Sequence, residues 1–271
     1  MFIKKEFNQK EKEEMLKMYN EDKMSLQKIA DKKGICISVV HRVLKELNYV
    51  PRTNREQALK YTFDENYFEN IDSEHKAYWL GYICADATIY EKTNTDSGIL
   101  KIEMKKDDQE IAEKIKLDLK SNHPIKYYGN KYYPTYQCAR VVFKSNKLIQ
   151  DLHKYGIGAK KSLTIQFPIQ LINNNYVGAF IRGYFDGDGS ISLPTQHRSL
   201  DVRILGTKQF LKTIKEICKI DCTISKPKGA IHELRITATE MKIKFLTFIY
   251  KDATLYLQRK FDKVQIFLNK H

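Results

Sequence analysis

The sequence predicts an α+β protein: two pseudo-symmetric copies of one αββαββα unit, whose antiparallel strands form sheets, preceded by a small all-α module. Three observations predict it. The segment WLGYICADATI (Trp79 to Ile89) recurs without a gap as IRGYFDGDGSI (Ile181 to Ile191), at a constant offset of 102 residues, the distance from Asp86 to Asp188. Each copy is followed by the same succession of strand-like and helical patterns. Ahead of both, residues 10–49 carry three short helical patterns.

In chain order, KEEMLKMYN opens the N-terminal module, SLQKIADKKG follows with Ser25 as N-cap and Gly34 past its end, and SVVHRVLKELNY comes third with Ser38 as N-cap. The pattern reads as a helix-turn-helix. Its recognition helix would run from Ser38 to Leu47, burying Val39, Val40, Val43, Leu44 and Leu47 and presenting His41, Arg42 and Lys45 to base edges or phosphates. A plain three-helix packing module is the alternative. Residues 51–72 read as a linker, basic where it begins, in which Arg52 and Arg55 either lie along a minor groove or stay solvated. Domains are therefore expected at 1–50, 51–72, 73–168 and 169–271.

In the first copy the motif precedes a strand-like run from Ile99 to Met104, the helical IAEKIKLDL, the alternating YQCARVVFK and the helical SNKLIQDLHKYG. The second copy has Leu200 to Leu205, FLKTIKEIC, HELRITA and TEMKIKFLTFIY in the same order. Within the motifs, Gly81 and Ala85 match Gly183 and Gly187, four residues apart and so on one helix face. A glycine inside a helix costs up to about 1 kcal/mol relative to alanine, so paired small residues there require a reason. Close approach of the two motif helices, backbone against backbone, supplies it.

Asp86 and Asp188 then emerge together at the C-terminal ends of those helices. Carboxylates are disfavoured at the negative end of a helix dipole, and two of them repel each other. A cation is needed, and Mg²⁺ fits because hard divalent ions take one or two carboxylates plus water and phosphate oxygens. The bland alternative is a glycine turn in which the aspartates only cap the backbone. Asp186 faces Cys84 in the alignment, so it reads as a structural acid of the second copy.

Lys and Arg number 47 against 33 Asp and Glu, a net charge of +14 that favours a polyanionic partner, nucleic acid first. No window approaches the roughly 20 apolar residues of a membrane span. A cytoplasmic protein is expected, associated with the nucleoid if its host is a bacterium or phage. Five cysteines without a CxxC pair read as reduced thiols, not a zinc site.

At these residues the sequence resembles the LAGLIDADG homing endonucleases in their single-chain, two-motif form. Trp79 to Ala87 and Ile181 to Gly189 fill the nine-residue pattern, and GIGAKKSLTIQFP (Gly156 to Pro168) and DATLYLQRK (Asp252 to Lys260) resemble the family segments that bring basic residues near the scissile phosphates. The resemblance implies a double-stranded DNA substrate held under a saddle of two sheets, no membrane, no small-molecule cofactor, and a monomer with internal pseudo-twofold symmetry. It places metal sites at Asp86–Ala87 and Asp188–Gly189, one for each strand, with Mg²⁺ replaceable by ions such as Mn²⁺. Lys161 and Lys260 would be the cations behind the metals, unless they are merely solvated lysines. Metal-assisted phosphodiester hydrolysis across the minor groove would leave short 3′ overhangs.

Lys101, Glu103, Arg140, Arg203 and Arg235 alternate with apolar neighbours and are expected on the DNA side of the strands. The first motif departs from the family with Cys84 and Ala87. Alanine tolerates a positive φ poorly, so unequal cutting or nicking is anticipated there. Two other functions remain: a non-cleaving transcriptional regulator on the same fold, and an RNA-splicing maturase.

Overall fold

A computed structural model describes residues 7–52, 61–91, 98–129, 137–159, 164–193, 200–226 and 231–270. Arg55 and Lys161 lie outside the described residues. The chain divides into two compact units, Met1–Lys60 and Tyr61–His271.

The first unit holds α1 (Gln9–Asn20), α2 (Leu26–Lys33) and α3 (Ile37–Glu46). Asn8 and Glu11 form a capping box on α1. Ser25 caps α2, and Gly34 ends it at φ +62°, a left-handed conformation that glycine adopts without strain. Met15, Met18, Tyr19, Ile29, Ala30, Val40, Val43 and Leu44 make its core. The third helix starts two residues earlier than a Ser38 cap implies: Cys36 occupies the cap position without a side-chain hydrogen bond. Val39 and Leu47 are only half-buried.

The second unit contains the repeat. Its first copy runs α4 (Glu74–Asp86), β1 (Ala87–Tyr90), β2 (Ile99–Lys105), α5 (Glu110–Asp118), β3 (Lys126–Gly129), β4 (Gln137–Lys144) and α6 (Asn146–Lys154). Its second copy runs α7 (Val177–Asp188), β5 (Gly189–Ser192), β6 (Asp201–Gly206), α8 (Lys208–Ile217), β7 (Thr223–Ser225), β8 (His232–Ile236) and α9 (Thr239–Tyr250). An additional helix, α10 (Gln258–Leu268), follows where the sequence had shown only the segment DATLYLQRK. Each copy makes one antiparallel four-stranded sheet, β1-β2-β4-β3 and β5-β6-β8-β7, with the same strand order. Motif helix and first strand abut without a loop in both copies, so each motif acid is the last residue of its helix.

Alternation fixes the faces. Leu100, Ile102 and Met104 of β2 and Ala139, Val141 and Phe143 of β4 are buried, as are Val202 and Ile204 of β6 and Leu234 and Ile236 of β8. One continuous core joins both sheets to the motif helices. The five cysteines are free thiols. Burial pushes the Cys218 thiol up to about 12, so it behaves as a small apolar group. No helix among the described residues is long and apolar enough to cross a membrane.

Candidate nuclease site

The motif helices are buried almost all round: every residue from Ala77 to Cys84 and from Ala179 to Asp186 is inaccessible. Two helices this apolar approach until their backbones touch. A Cβ on Gly81 would sit 2.0 Å from the Phe180 carbonyl oxygen, and one on Gly183 would sit 1.9 Å from that of Tyr78. One turn on, a Cβ at Gly187 would lie 2.5 Å from that of Ala85 and 3.3 Å from that of Asp86. Asp86 therefore stands against the residue that precedes Asp188.

Both acids are exposed, unlike the residues before them. Each also has a tyrosine one turn back on its own helix. Tyr184 donates to the Leu205 carbonyl at 2.9 Å, and burial followed by the nearby Asp188 charge drives its pKa up; burial and then Asp86 do the same to Tyr82. Among the described residues no group of three or more His, Cys, Asp or Glu converges. The donors at this end are thus two carboxylates and the carbonyls of two helix ends, all hard oxygens. That set fits Mg²⁺, which completes its shell with water and phosphate oxygens, and does not fit zinc.

The backbone around the two sites corrects one expectation. Ala87 lies at φ −86° and Gly189 at φ −81°, both extended, so no positive φ exists for alanine to strain. Gly189 is required for a different reason: a Cβ there would meet the Phe185 ring at 2.2 Å.

Lys260 is buried beneath the second site. Its ammonium donates to the carbonyls of Phe185 at 2.6 Å, Asp186 at 2.9 Å and Gly189 at 2.5 Å, closing the C-terminus of α7. Three donors meet three acceptors, so Lys260 acts through the turn that carries Asp188 and not by reaching a phosphate. Burial lowers its pKa to about 8, which leaves it protonated at neutral pH.

Asp186 accepts from Tyr78 Oη at 2.9 Å, Tyr250 Oη at 2.6 Å and the Leu257 amide at 2.8 Å, and burial raises its carboxyl. It is the structural acid its alignment with Cys84 implied, and it ties α7 to α4 and α9. Asp186→Asn places an amide N–H against at least one of these donors and removes the charge beside Lys260. The expected cost is about 2–3 kcal/mol, read as a lower denaturant midpoint.

Sequence reasoning missed Arg182. Its guanidinium donates to the Leu255 carbonyl at 2.8 Å and the Ile249 carbonyl at 2.6 Å, and pairs with Glu74 across the repeats. The signal was a lone cation inside the apolar run VGAFIRGYF, which a buried helix tolerates only if paired.

On the outer face of the first sheet, Glu103 is held between Lys101 and Arg140, the latter at 2.8 Å, and Arg140 stacks on Tyr128 with its centre 4.4 Å from the ring. On the second, Asp201 is held between Arg203 and Arg235, with Arg235 Nε at 3.0 Å. Partial burial pushes the Glu103 and Asp201 carboxyls up, and their cations more than offset it, leaving both below the usual range. Register aligns Glu103 with Arg140 and Arg203 with Arg235, so each sheet carries a row of charge across neighbouring strands.

In the N-terminal unit, His41 and Lys45 are exposed and Arg42 is half-buried on α3. Arg52 is half-buried and packs within its own unit. It lies over the Tyr19 ring at 4.2 Å and donates to the Lys23 carbonyl at 2.9 Å and to that of Met24, pinning the turn between α1 and α2.

The architecture is that of a protein with two fused α+β repeats joined at acidic helix ends. No family model and no curated protein matches the chain. Solved structures do. The homing endonuclease I-WcaI, bound to its DNA recognition sequence, aligns over 83% of this chain and 96% of its own at 14% identity and a TM-score of 0.52. The LAGLIDADG homing endonuclease I-GzeII, in complex with its DNA target, aligns over 71% and 88% at 14% identity and a TM-score of 0.51. The fold is that of the single-chain LAGLIDADG homing endonucleases, as the two motifs had indicated.

Proposed function

We propose that the protein is a site-specific, double-stranded DNA endonuclease of the homing type that uses a divalent cation, Mg²⁺ or a substitute such as Mn²⁺. The observation that carries this reading is the pair Asp86 and Asp188, exposed side by side at the negative ends of two helices in backbone contact. Neither the helix dipoles nor their mutual repulsion favours two acids there. A cation that bridges carboxylate and phosphate does.

In this reading Asp86 and Asp188 hold metal, each serving one strand, at sites that include the chain at Ala87 and Gly189. The bound ion would polarise the phosphate and activate water for in-line attack. Lys260 keeps the Asp188 turn in place. The cations Lys101, Arg140, Arg203 and Arg235 meet DNA from the two sheets, already oriented by Glu103, Asp201 and Glu233. Orientation lowers the entropy lost on binding. His41, Arg42 and Lys45 would extend the contact through the helix-turn-helix, and Arg52 would serve it indirectly by stabilising the module. Lys161 would be the first site's counterpart of Lys260.

The test is incubation with DNA that contains the chain's own genomic flank, in Mg²⁺ and in EDTA. Double-strand cutting with a short 3′ overhang in Mg²⁺, absent in EDTA, is expected. Sequence-specific binding with no cutting under any divalent ion would refute the nuclease and leave a DNA-binding regulator. Because the interface is cationic, affinity should fall steeply with salt, by about 0.9 log unit per log unit of salt for each phosphate neutralised.

A further inference from the structure

The segment from Thr254 to Lys260 belongs to the second repeat by sequence, yet many of its hydrogen bonds go to the first. Thr254 donates to Glu74 through its amide at 2.9 Å and its hydroxyl at 2.6 Å. The Tyr256 carbonyl accepts from Lys114 at 2.9 Å, and the Gln258 amide donates to Glu110 at 2.8 Å. Leu257 and Lys260, between and beyond these, bond to Asp186 and to the end of α7. Adjacent residues of one strap thus join the first repeat to the end of α7.

Arg259 makes the most specific of these contacts. Its Nε lies 2.7 Å from Asp108 Oδ1 and its Nη2 2.9 Å from Oδ2, a planar bidentate fork across a separation of 151 residues. The Asp108 side chain is 9% exposed while that of Arg259 is 50% exposed, so the acid is an anchor and the guanidinium is the presented group. An arginine offers five N–H groups, and the fork uses one on Nε and one on Nη2. The remaining donors are available to an anion.

Register locates that group. Ala87 pairs with Ile102, and β2 continues past this point through Lys105 into the turn at Lys106–Asp108. The turn therefore overruns the start of β1 toward the end of α4, where Asp86 is. From the other side, Lys260, the next residue along α10, grips the end of α7, whose Gly187 lies against Asp86. Tyr82 has Asp86, Asp108 and Arg259 all among its charged neighbours, in agreement with both routes.

We infer that Arg259 is a phosphate-binding residue of the Asp86 half-site, supplied in trans by the second repeat and aimed by Asp108 of the first. The inference rests on the endonuclease reading and adds to it a residue on the opposite repeat. It also gives the two half-sites a shared part: Lys260 positions one and its neighbour serves the other, so cutting of the two strands is coupled through one turn of α10.

The test isolates each strand. On supercoiled plasmid carrying the target, Asp188→Asn leaves the nick that depends on Asp86, and Asp86→Asn leaves the other. Adding Arg259→Met should slow the first nick on the order of 100-fold, as loss of one oriented transition-state donor does. The second nick should change by less than about 3-fold. Arg259→Lys keeps charge without the fork and should recover part of the loss, and Asp108→Asn should mimic it with DNA affinity little changed. Denaturant midpoints of the same variants are measured alongside, because a clasp with a purely structural role would lower both nicks together with stability. Equal slowing of the two nicks, or none, overturns the inference while the endonuclease stands. A wild-type protein that leaves the plasmid intact overturns both.

Discussion

Gly183→Ala is expected to lower stability by about 4 kcal/mol or more, making it among the most damaging single-methyl additions in the chain. Two effects compete. Alanine gains up to about 1 kcal/mol over glycine in a helix interior. Against this, the new Cβ would lie 1.9 Å from the Tyr78 carbonyl oxygen and 2.9 Å from the Tyr82 amide nitrogen. Those atoms are backbone of a helix packed on all sides, so no rotamer change relieves the clash. The helices must separate, and every contact along α4 and α7 loosens with them, which places the cost above the usual 1–3 kcal/mol of overpacking. Gly81→Ala meets the Phe180 carbonyl oxygen at 2.0 Å and should cost about as much. The double variant should cost clearly less than the sum, since the first substitution has already parted the helices. Urea unfolding of the three variants measures this. Additive losses, or a Gly183→Ala protein as stable as wild type, would mean that the helices are not held at this distance.

Internal comparison made much of this legible before any coordinates. Gly81, Gly183, Gly187 and the two acids stood out because a repeat retains what its symmetry axis requires, and that signal needs no knowledge of distant contacts. Alternation placed Lys101, Arg140, Arg203 and Arg235 on one face of each sheet for the same local reason. What stayed hidden was long-range. Arg182 meets Glu74 across 108 residues and Arg259 meets Asp108 across 151, and no local pattern encodes such a pairing. Arg52 looked like a linker cation because its partners are carbonyls, which leave no mark on composition. The Ser38 cap failed because capping preference is worth only about 1 kcal/mol, and packing of Val40, Val43 and Leu44 set the start of α3 at Ile37. The role of Gly189 was misjudged because steric room and positive φ both select glycine, and only coordinates separate them.

On the endonuclease reading proposed above, Asp86→Asn and Asp188→Asn should each abolish cutting of one strand, leaving two different nickases. Asparagine keeps the volume and one oxygen but not the charge that would hold a divalent cation. Losing the Lewis acid forfeits several kcal/mol of transition-state stabilisation, on the order of 10³-fold in rate at that strand. Folding should hardly move. Each acid is exposed at a helix C-terminus, where a carboxylate is disfavoured by about 0.3–1 kcal/mol. Against that stands what each acid contacts within the fold, the Tyr184 hydroxyl beside Asp188 included. Neutralising either one should therefore change the stability of the metal-free protein by less than about 1 kcal/mol. Loss of one strand's cleavage at nearly unchanged stability is the pattern of residues kept for chemistry. Strand-resolved sequencing gels and metal-free thermal melts read the two quantities separately. Aspartates that merely capped the backbone would give the reverse: unchanged cutting, and melting temperatures that fall.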